Sequence, residues 1–317
     1  MVTVVIPCFN AAQYIYKCIS SLENQTYHNF KVIFVDDNST DDTYSQLLEL
    51  QKISNLNIKV LLNAQNSGPA ISRNRGILEV DTKYIAFCDC DDWYEPNFIE
   101  EMVGLLESNS ADLAFCGHKV VDENGSALMR PVFNKSGIIS KEQVYSLDAD
   151  SLCMLMVKSD IMKTTLLPNL RNGEDMAVVP LLIAKANIYV VSEKCLYNYF
   201  RRSDSASEMI KVEVVDSLLF SFDYLKQNFP SDLHIELEYI GIKYVLYSSI
   251  ITLFTIGFYR KKALLILYNF EKNYPNWKNN PYLGGMRFYK RLVIFLVKLK
   301  CLYCIRVVAI VRKILFK

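Results

Sequence analysis

Five short apolar, largely β-branched runs, at residues 2–6, 31–35, 58–62, 84–87 and 113–115, alternate with segments of helical spacing at about 12–24, 42–53, 69–79 and 96–107. Strands separated in this way by helices pair in parallel through crossovers. The first third of the chain therefore predicts an α/β fold, with a mainly parallel sheet and helices on both faces. Ser39-Thr40-Asp41-Asp42 offers N-caps and early acids for one helix, and Pro69 and Pro96 suit the first turns of two others. From Cys116 to Ser159 the pattern loosens, with Asn124-Gly125 marking a hairpin turn. A second mixed block runs to about Ser207, and the remainder reads as helical.

The run at 84–87 ends in Asp89-Cys90-Asp91-Asp92, followed by Trp93 and Pro96. Carboxylates crowded in this way repel one another and call for a cation. Strand C-terminal ends are where open α/β sheets build ligand sites. Oxygen ligands suit Mg²⁺ or Mn²⁺, so the cluster reads as a site for a metal-bound phosphate.

What surrounds the first run disfavours other phosphate chemistries, a sugar-phosphate nucleotidyltransferase being the alternative on a related fold. A dinucleotide-binding turn needs glycines there, but the turn is Pro7-Cys8-Phe9-Asn10-Ala11-Ala12 and the first glycine is Gly68. No Walker lysine motif is present, and a sugar-phosphate nucleotidyltransferase would want a Gly-rich N-terminal loop with a lysine. With a formal net charge of +1 there is no global signal for nucleic acid. The nine cysteines are scattered, with no pair of CxxC motifs and no zinc spacing, which favours a reducing cytosol. Met1 leads directly into the first run, with no basic segment or cleavage site of a signal peptide.

Three further motifs carry two readings each. The second run ends in Val35-Asp36-Asp37-Asn38-Ser39, where Asp37 is either part of an acid-dressed helix start or an acceptor for a base or ribose. In Gly68-Pro69-Ala70-Ile71-Ser72-Arg73, Arg73 is either a solvated helix residue or a guanidinium countering nucleotide charge. Glu174-Asp175 is either a first helical turn enriched in acids or a catalytic pair.

These motifs, in this order and spacing, resemble a family 2 glycosyltransferase with the GT-A fold. The match covers 2–115 strongly and extends more weakly to about 207. The resemblance implies an inverting, metal-dependent hexosyl- or N-acetylhexosaminyltransferase that uses a nucleotide-sugar, usually a UDP-sugar, with Mn²⁺ or Mg²⁺. Pro7 and Asn10 would line the nucleotide pocket, Asp37 would contact the base and Arg73 would lie beside the nucleotide. Asp89 and Asp91 would form the DxD pair, with Asp91 the metal ligand supported by Asp89, and Asp92 shaping the turn. Asp175 would be the general base, with Glu174 and Trp93 at the acceptor. Tyr197-Asn198-Tyr199-Phe200-Arg201-Arg202 resembles the segment closing such domains, and either arginine could reach the diphosphate or sit in a solvated loop. The implied organisation is a catalytic domain at 1–207, divided into a donor half (1–115) and an acceptor half (116–207), followed by a helical region at 208–317.

The implied function is transfer of one sugar to a glycan or lipid-linked acceptor in bacterial surface polysaccharide synthesis. Processive synthases carry transmembrane helices and a Gln-x-x-Arg-Trp motif, and neither is legible here. Residues 286–317 read as a basic amphipathic helix, with Arg287, Arg291, Lys298, Arg306, Arg312 and Lys313 on one side and Lys300 as the main exception. That predicts a peripheral position at the inner face of the cell membrane; the alternative is packing on the catalytic domain or a second subunit.

Overall fold

The computed structural model describes residues 1–147, 149–170, 173–202 and 212–315. They belong to two compact units, Met1–Ser203 and Asp204–Lys317. The boundary expected at 207 lies outside the described residues, as do Asn172 and the Ser203, Asp204 and Ser205 that follow Arg202.

The first unit begins with β1 (Val2–Cys8), α1 (Ile15–Glu23), β2 (Phe30–Asp36), α2 (Thr43–Ile53), β3 (Asn57–Leu62), α3 (Pro69–Leu78) and β4 (Tyr84–Phe87). It continues through β5 (Trp93–Tyr94), α4 (Phe98–Ser108), β6 (Leu113–Val121), β7 (Ala127–Arg130), β8 (Gly137–Ile139) and α5 (Lys141–Ser146). It closes with β9 (Leu155–Lys158), α6 (Ser159–Lys163), α7 (Glu174–Lys185) and β10 (Tyr189–Phe200).

One mixed sheet runs β3-β2-β1-β4-β9-β6-β10-β5, with β7 added on β6 and β8 on β10. The pairs from β3 to β4 are parallel, as the alternation predicts. Every residue of β1 is buried, which explains its unbroken apolar run. Beyond β4 the direction changes, because β9 inserts antiparallel between β4 and β6. Asn124-Gly125 does lie in the hairpin joining β6 to β7, where Gly125 N–H donates to Asp122 O. Helix α4 starts at Phe98, after Pro96 and an Asn97 N-cap, so Pro96 precedes the first turn instead of joining it. Helix α3 lies close on β1 because residue 76 is glycine: a Cβ there would collide with Val5 Cγ1.

The second unit is helical: α8 (Val212–Asn228), α9 (His234–Gly241), α10 (Ser249–Ile256), α11 (Arg260–Asn273), α12 (Phe288–Lys298) and α13 (Leu302–Leu315). A π-helical segment, Ile242–Ser248, makes α9 and α10 continuous. The run Ser231–Ile256 is long and apolar enough to cross a membrane by length and composition, although 78% of its most apolar window is buried within the protein. The single basic helix expected over 286–317 is two helices. Lys300, with φ 54°, ends the first. Val293, Ile294, Val297, Ile305 and Ala309 are buried, while Phe288, Phe295, Leu299, Tyr303 and Val307 are exposed.

Candidate active site

The C-terminal ends of β1, β2 and β4 build one wall. Asp37 N–H donates to Cys8 O at 2.8 Å, and Cys88 N–H donates to Val5 O at 3.3 Å, so the three exits are tied together. Asn10 and Asn38 both take positive φ (48° and 60°), which asparagine tolerates. Pro7 is buried at the strand end. Exposed Asn10 accepts from Thr40 N–H at 2.9 Å, and its own N–H donates to Ser39 Oγ at 3.0 Å.

Asp37 is turned inward. Its oxygens accept from Asn63 Nδ2 (2.7 Å), Ser67 N–H (3.0 and 3.1 Å) and Gly68 N–H (2.7 Å). Gly68 has φ 89° at the N-cap of α3, so this carboxylate fixes the loop from which α3 starts. A base contact would have to replace one of these bonds.

Arg73, on α3, is not a solvated residue: its side chain is 5% exposed. Nη2 donates to Asp89 Oδ1 at 2.6 Å, and Nη1 donates to Glu174 Oε1 at 2.8 Å. Nε is buried and meets no hydrogen-bond partner among the described residues. Burial alone would lower its pKa, but Asp89, Asp175 and Glu174 outweigh that and keep the guanidinium charged. Glu174 is thereby occupied with Arg73.

Asp175 lies in the first turn of α7. Its Oδ2 accepts from Leu152 N–H at 3.3 Å, while Oδ1 is closed from solvent and meets no hydrogen-bond partner among the described residues. Burial first, then the nearby charges of Glu174 and Asp89, push this carboxyl up to about 7 against the pull of Arg73. A carboxylate with an unused oxygen and a pKa near neutrality is suited to accept a proton.

The three acids after β4 divide. Asp92 is 1% exposed and accepts from the Tyr197 hydroxyl and, at 2.6 Å, from Phe200 N–H. It anchors the turn to β10. Asp89 and Asp91 face outward, with side chains 38% and 21% exposed. Asp91 accepts from Arg202 Nη2 at 2.7 Å; burial and then Asp89 raise its pKa above the ordinary carboxylate value. Of the two arginines expected near the diphosphate, Arg202 is thus the one brought to the acids. Arg73 takes Oδ1 of Asp89 and Arg202 takes Oδ2 of Asp91, so each carboxylate keeps a second oxygen. Among the described residues no three His, Cys, Asp or Glu side chains gather into a metal-holding group.

Beside the acids is an aromatic patch the sequence did not reveal. The Lys17 ammonium sits 3.2 Å from the Trp93 ring centre, Phe200 lies 6.0 Å from Trp93, and Tyr14 lies 6.2 Å from Phe200. The Arg202 guanidinium covers Tyr14 at 4.5 Å. The sequence singled out Trp93 and the segment holding Phe200, but gave no sign that Tyr14 and Lys17 of the first helix meet them.

Comparison with known proteins accords with this architecture. The glycosyl transferase family 2 model matches residues 3–161. The teichuronic acid biosynthesis glycosyltransferase TuaG, as a Bacillus subtilis protein is named, is 26% identical over 207 residues, 65% of this chain and 81% of that protein. A Haemophilus influenzae glycosyltransferase is 42% identical over 109 residues, and the match spans 34% of this chain and 33% of that one. Glycosyltransferase GlyA of Streptococcus pneumoniae is 26% identical over 212 residues, with the match spanning 29% of its length. The crystal structure of S. aureus TarS 1-349 with UDP-GlcNAc shares the fold, with a TM-score of 0.70 at 18% identity over 97% of this chain and 90% of that one. The chain belongs to glycosyl transferase family 2 and is a glycosyltransferase.

Proposed function

We propose that this chain transfers one sugar from a nucleotide-sugar, a UDP-sugar in particular, to a hydroxyl of a glycan or lipid-linked acceptor in bacterial surface polysaccharide synthesis, with inversion at the anomeric carbon. Support for the donor comes from the UDP-GlcNAc bound by TarS, and support for the pathway comes from the name of TuaG. The observation that carries the chemistry is Asp175: a carboxyl held near neutrality, with an Oδ1 that meets no partner among the described residues, one residue from the Arg73 brace that ends on Asp89. Asp175 takes the proton of the acceptor hydroxyl as that oxygen bonds to the anomeric carbon and the bond to the diphosphate breaks. One displacement with no covalent intermediate inverts the centre.

The residues fit a divalent cation of the Mg²⁺ or Mn²⁺ kind. Two outward carboxylates, Asp91 and Asp89, each keep an oxygen, and such ions are held by one or two carboxylates together with substrate phosphates. Such an ion, when bound, neutralises charge on the departing diphosphate. Pro7 and Asn10 wall the nucleotide side, and Asp37 holds that wall through the loop at 63–68. Arg73 acts as a brace for Asp89 and Glu174, and Trp93 with Phe200 offers apolar rings to a sugar. On this reading the strand ends up to β4 form the donor half, and α7 with β10 the acceptor half, of a catalytic domain that ends near 207. The exposed apolar residues of α12 and α13, interspersed with Arg and Lys, suit an anionic membrane surface.

A thermal-shift panel of nucleotide-sugars with Mn²⁺, followed by UDP release, tests the proposal. Stabilisation by one or more UDP-sugars together with turnover is expected. No binding and no turnover across the panel would overturn it.

A further inference from the structure

Of the nine cysteines, six are buried; Cys90 and Cys301 are half-exposed and Cys304 is exposed. The last two form Cys301-Leu302-Tyr303-Cys304, a CxxC sequence in the second unit, remote in sequence from every residue of the candidate active site. Local backbone geometry brings them together. After α12, Lys300 N–H donates to Val297 O at 2.9 Å and Cys301 N–H donates to Leu296 O at 3.0 Å, which closes the helix. The Cys301 carbonyl then accepts from Ile305 N–H at 3.2 Å. Cys301 is therefore the N-cap of α13, and Cys304 is its third helical residue.

Side chains at these two positions face each other across the first turn, which is the basis of the capping box. Here both are thiols, and their sulfurs stand 2.8 Å apart. A disulfide needs about 2.05 Å, so a small rotation of the side chains would join them. The positive end of the helix favours a thiolate at this point. Hydrogen bonds from the Cys304 thiol and then from its backbone N–H lower the pKa of Cys301, and the same contact raises that of Cys304. The two thiols are thus unequal, and both are open at least in part to a solute.

We propose that Cys301 and Cys304 are a site of covalent exchange with low-molecular-weight disulfides, Cys301 attacking and Cys304 resolving. In the first step the Cys301 thiolate bonds to one sulfur of the small disulfide and expels the other as a thiolate. Cys304 then gives up its proton and attacks the Cys301 sulfur, forming the internal disulfide and expelling the second small thiolate. Two protein thiols are oxidised, and one small disulfide is reduced to two thiols. The closed form ties the N-cap of α13 to its first turn, beside exposed Leu299 and Tyr303.

The test uses the full chain, reduced and then incubated with oxidised glutathione, acid-quenched, alkylated and mapped by peptide mass. The peptide holding both cysteines should lose two hydrogens, while the buried cysteines remain alkylatable. The Cys304→Ser variant should accumulate a glutathione adduct on Cys301, and Cys301→Ser should show little adduct on Cys304. In the reduced protein, Cys301 should alkylate at least about threefold faster than Cys304. Separate adducts on both cysteines without an internal disulfide, or equal adducts in the two variants, would overturn the proposal. Thermal unfolding of both variants checks that they remain folded.

Discussion

Arg73 Nη1 donates to Glu174 Oε1 at 2.8 Å, joining residues 101 positions apart in sequence, while Nη2 of the same guanidinium holds Asp89 at 2.6 Å. The strand end bearing the outward acids and the helix bearing Asp175 are therefore set by one planar fork. Lysine cannot reproduce that fork. Replacing Arg73 by Met leaves Glu174 buried without its cation, and loss of one partner of a buried pair costs about 3–5 kcal/mol. Partial exposure of Asp89 places the expected loss at the lower end, about 3 kcal/mol. Urea unfolding of Arg73→Met measures it, and a variant as stable as the parent would refute the brace.

Asp175 should leave a mark on stability as well as on rate. Its folded-state carboxyl is pushed up to about 7 by burial, well above the ordinary carboxylate value. Between about pH 4 and pH 7 the folded chain then binds more protons than the unfolded one. The contribution of this group is fully present below that window and is lost as pH rises through it. Asp175→Asn removes the dependence, so its melting temperature should gain on the parent from about pH 5 to about pH 8. A gap that stays constant or shrinks would show that the carboxyl is not held protonated by its surroundings.

Removal of divalent ions with a chelator should abolish turnover, and added Mn²⁺ should restore it. Asp91→Asn should lower kcat/KM by about 10²-fold or more at fixed Mn²⁺, the effect expected of a weakened Lewis acid. Isothermal titration of UDP with and without Mn²⁺ gives an independent reading. UDP affinity and turnover that are indifferent to both chelation and this substitution would remove the cation from the account.

For the membrane reading, flotation with anionic vesicles is the direct assay. Phe295→Asp combined with Leu299→Asp places acids on exposed positions of the α12–α13 surface, where folding should tolerate them. Flotation should fall several-fold, while stabilisation by UDP stays unchanged. Undiminished flotation of the double variant, or of a chain lacking 286–317, would contradict the assignment.

The parallel half of the sheet was legible because buried strands such as β1 are continuous apolar runs set between helical periods. Beyond β4 the helix near 96–107, the start of the strand at 113 and the hairpin at Asn124-Gly125 were legible, but the strand order was not. Strand β9 is only four residues long and pairs with residues distant in sequence, and β6 continues through Cys116 and Gly117 to Val121 because β10 and β7 flank it. The acids were visible as a cluster, and so were Asp37 and Arg73, but their partners were not. Whether a carboxylate meets a loop N–H, as Asp37 does, or an arginine more than a hundred residues away, as Asp91 does, is decided by tertiary placement. Lys300 stands out in the sequence only as the exception to the basic side of 286–317; the helix break there, and the N-cap that pairs Cys301 with Cys304, are set by backbone conformation.

In the proposed reaction Asp175 removes the acceptor proton in a single displacement. The most direct test is the turnover rate of Asp175→Asn with whichever UDP-sugar binds the parent best, measured alongside UDP binding. The expected result is a fall in kcat of about 10²–10⁴-fold with UDP affinity unchanged. Full turnover by Asp175→Asn would rule out this role.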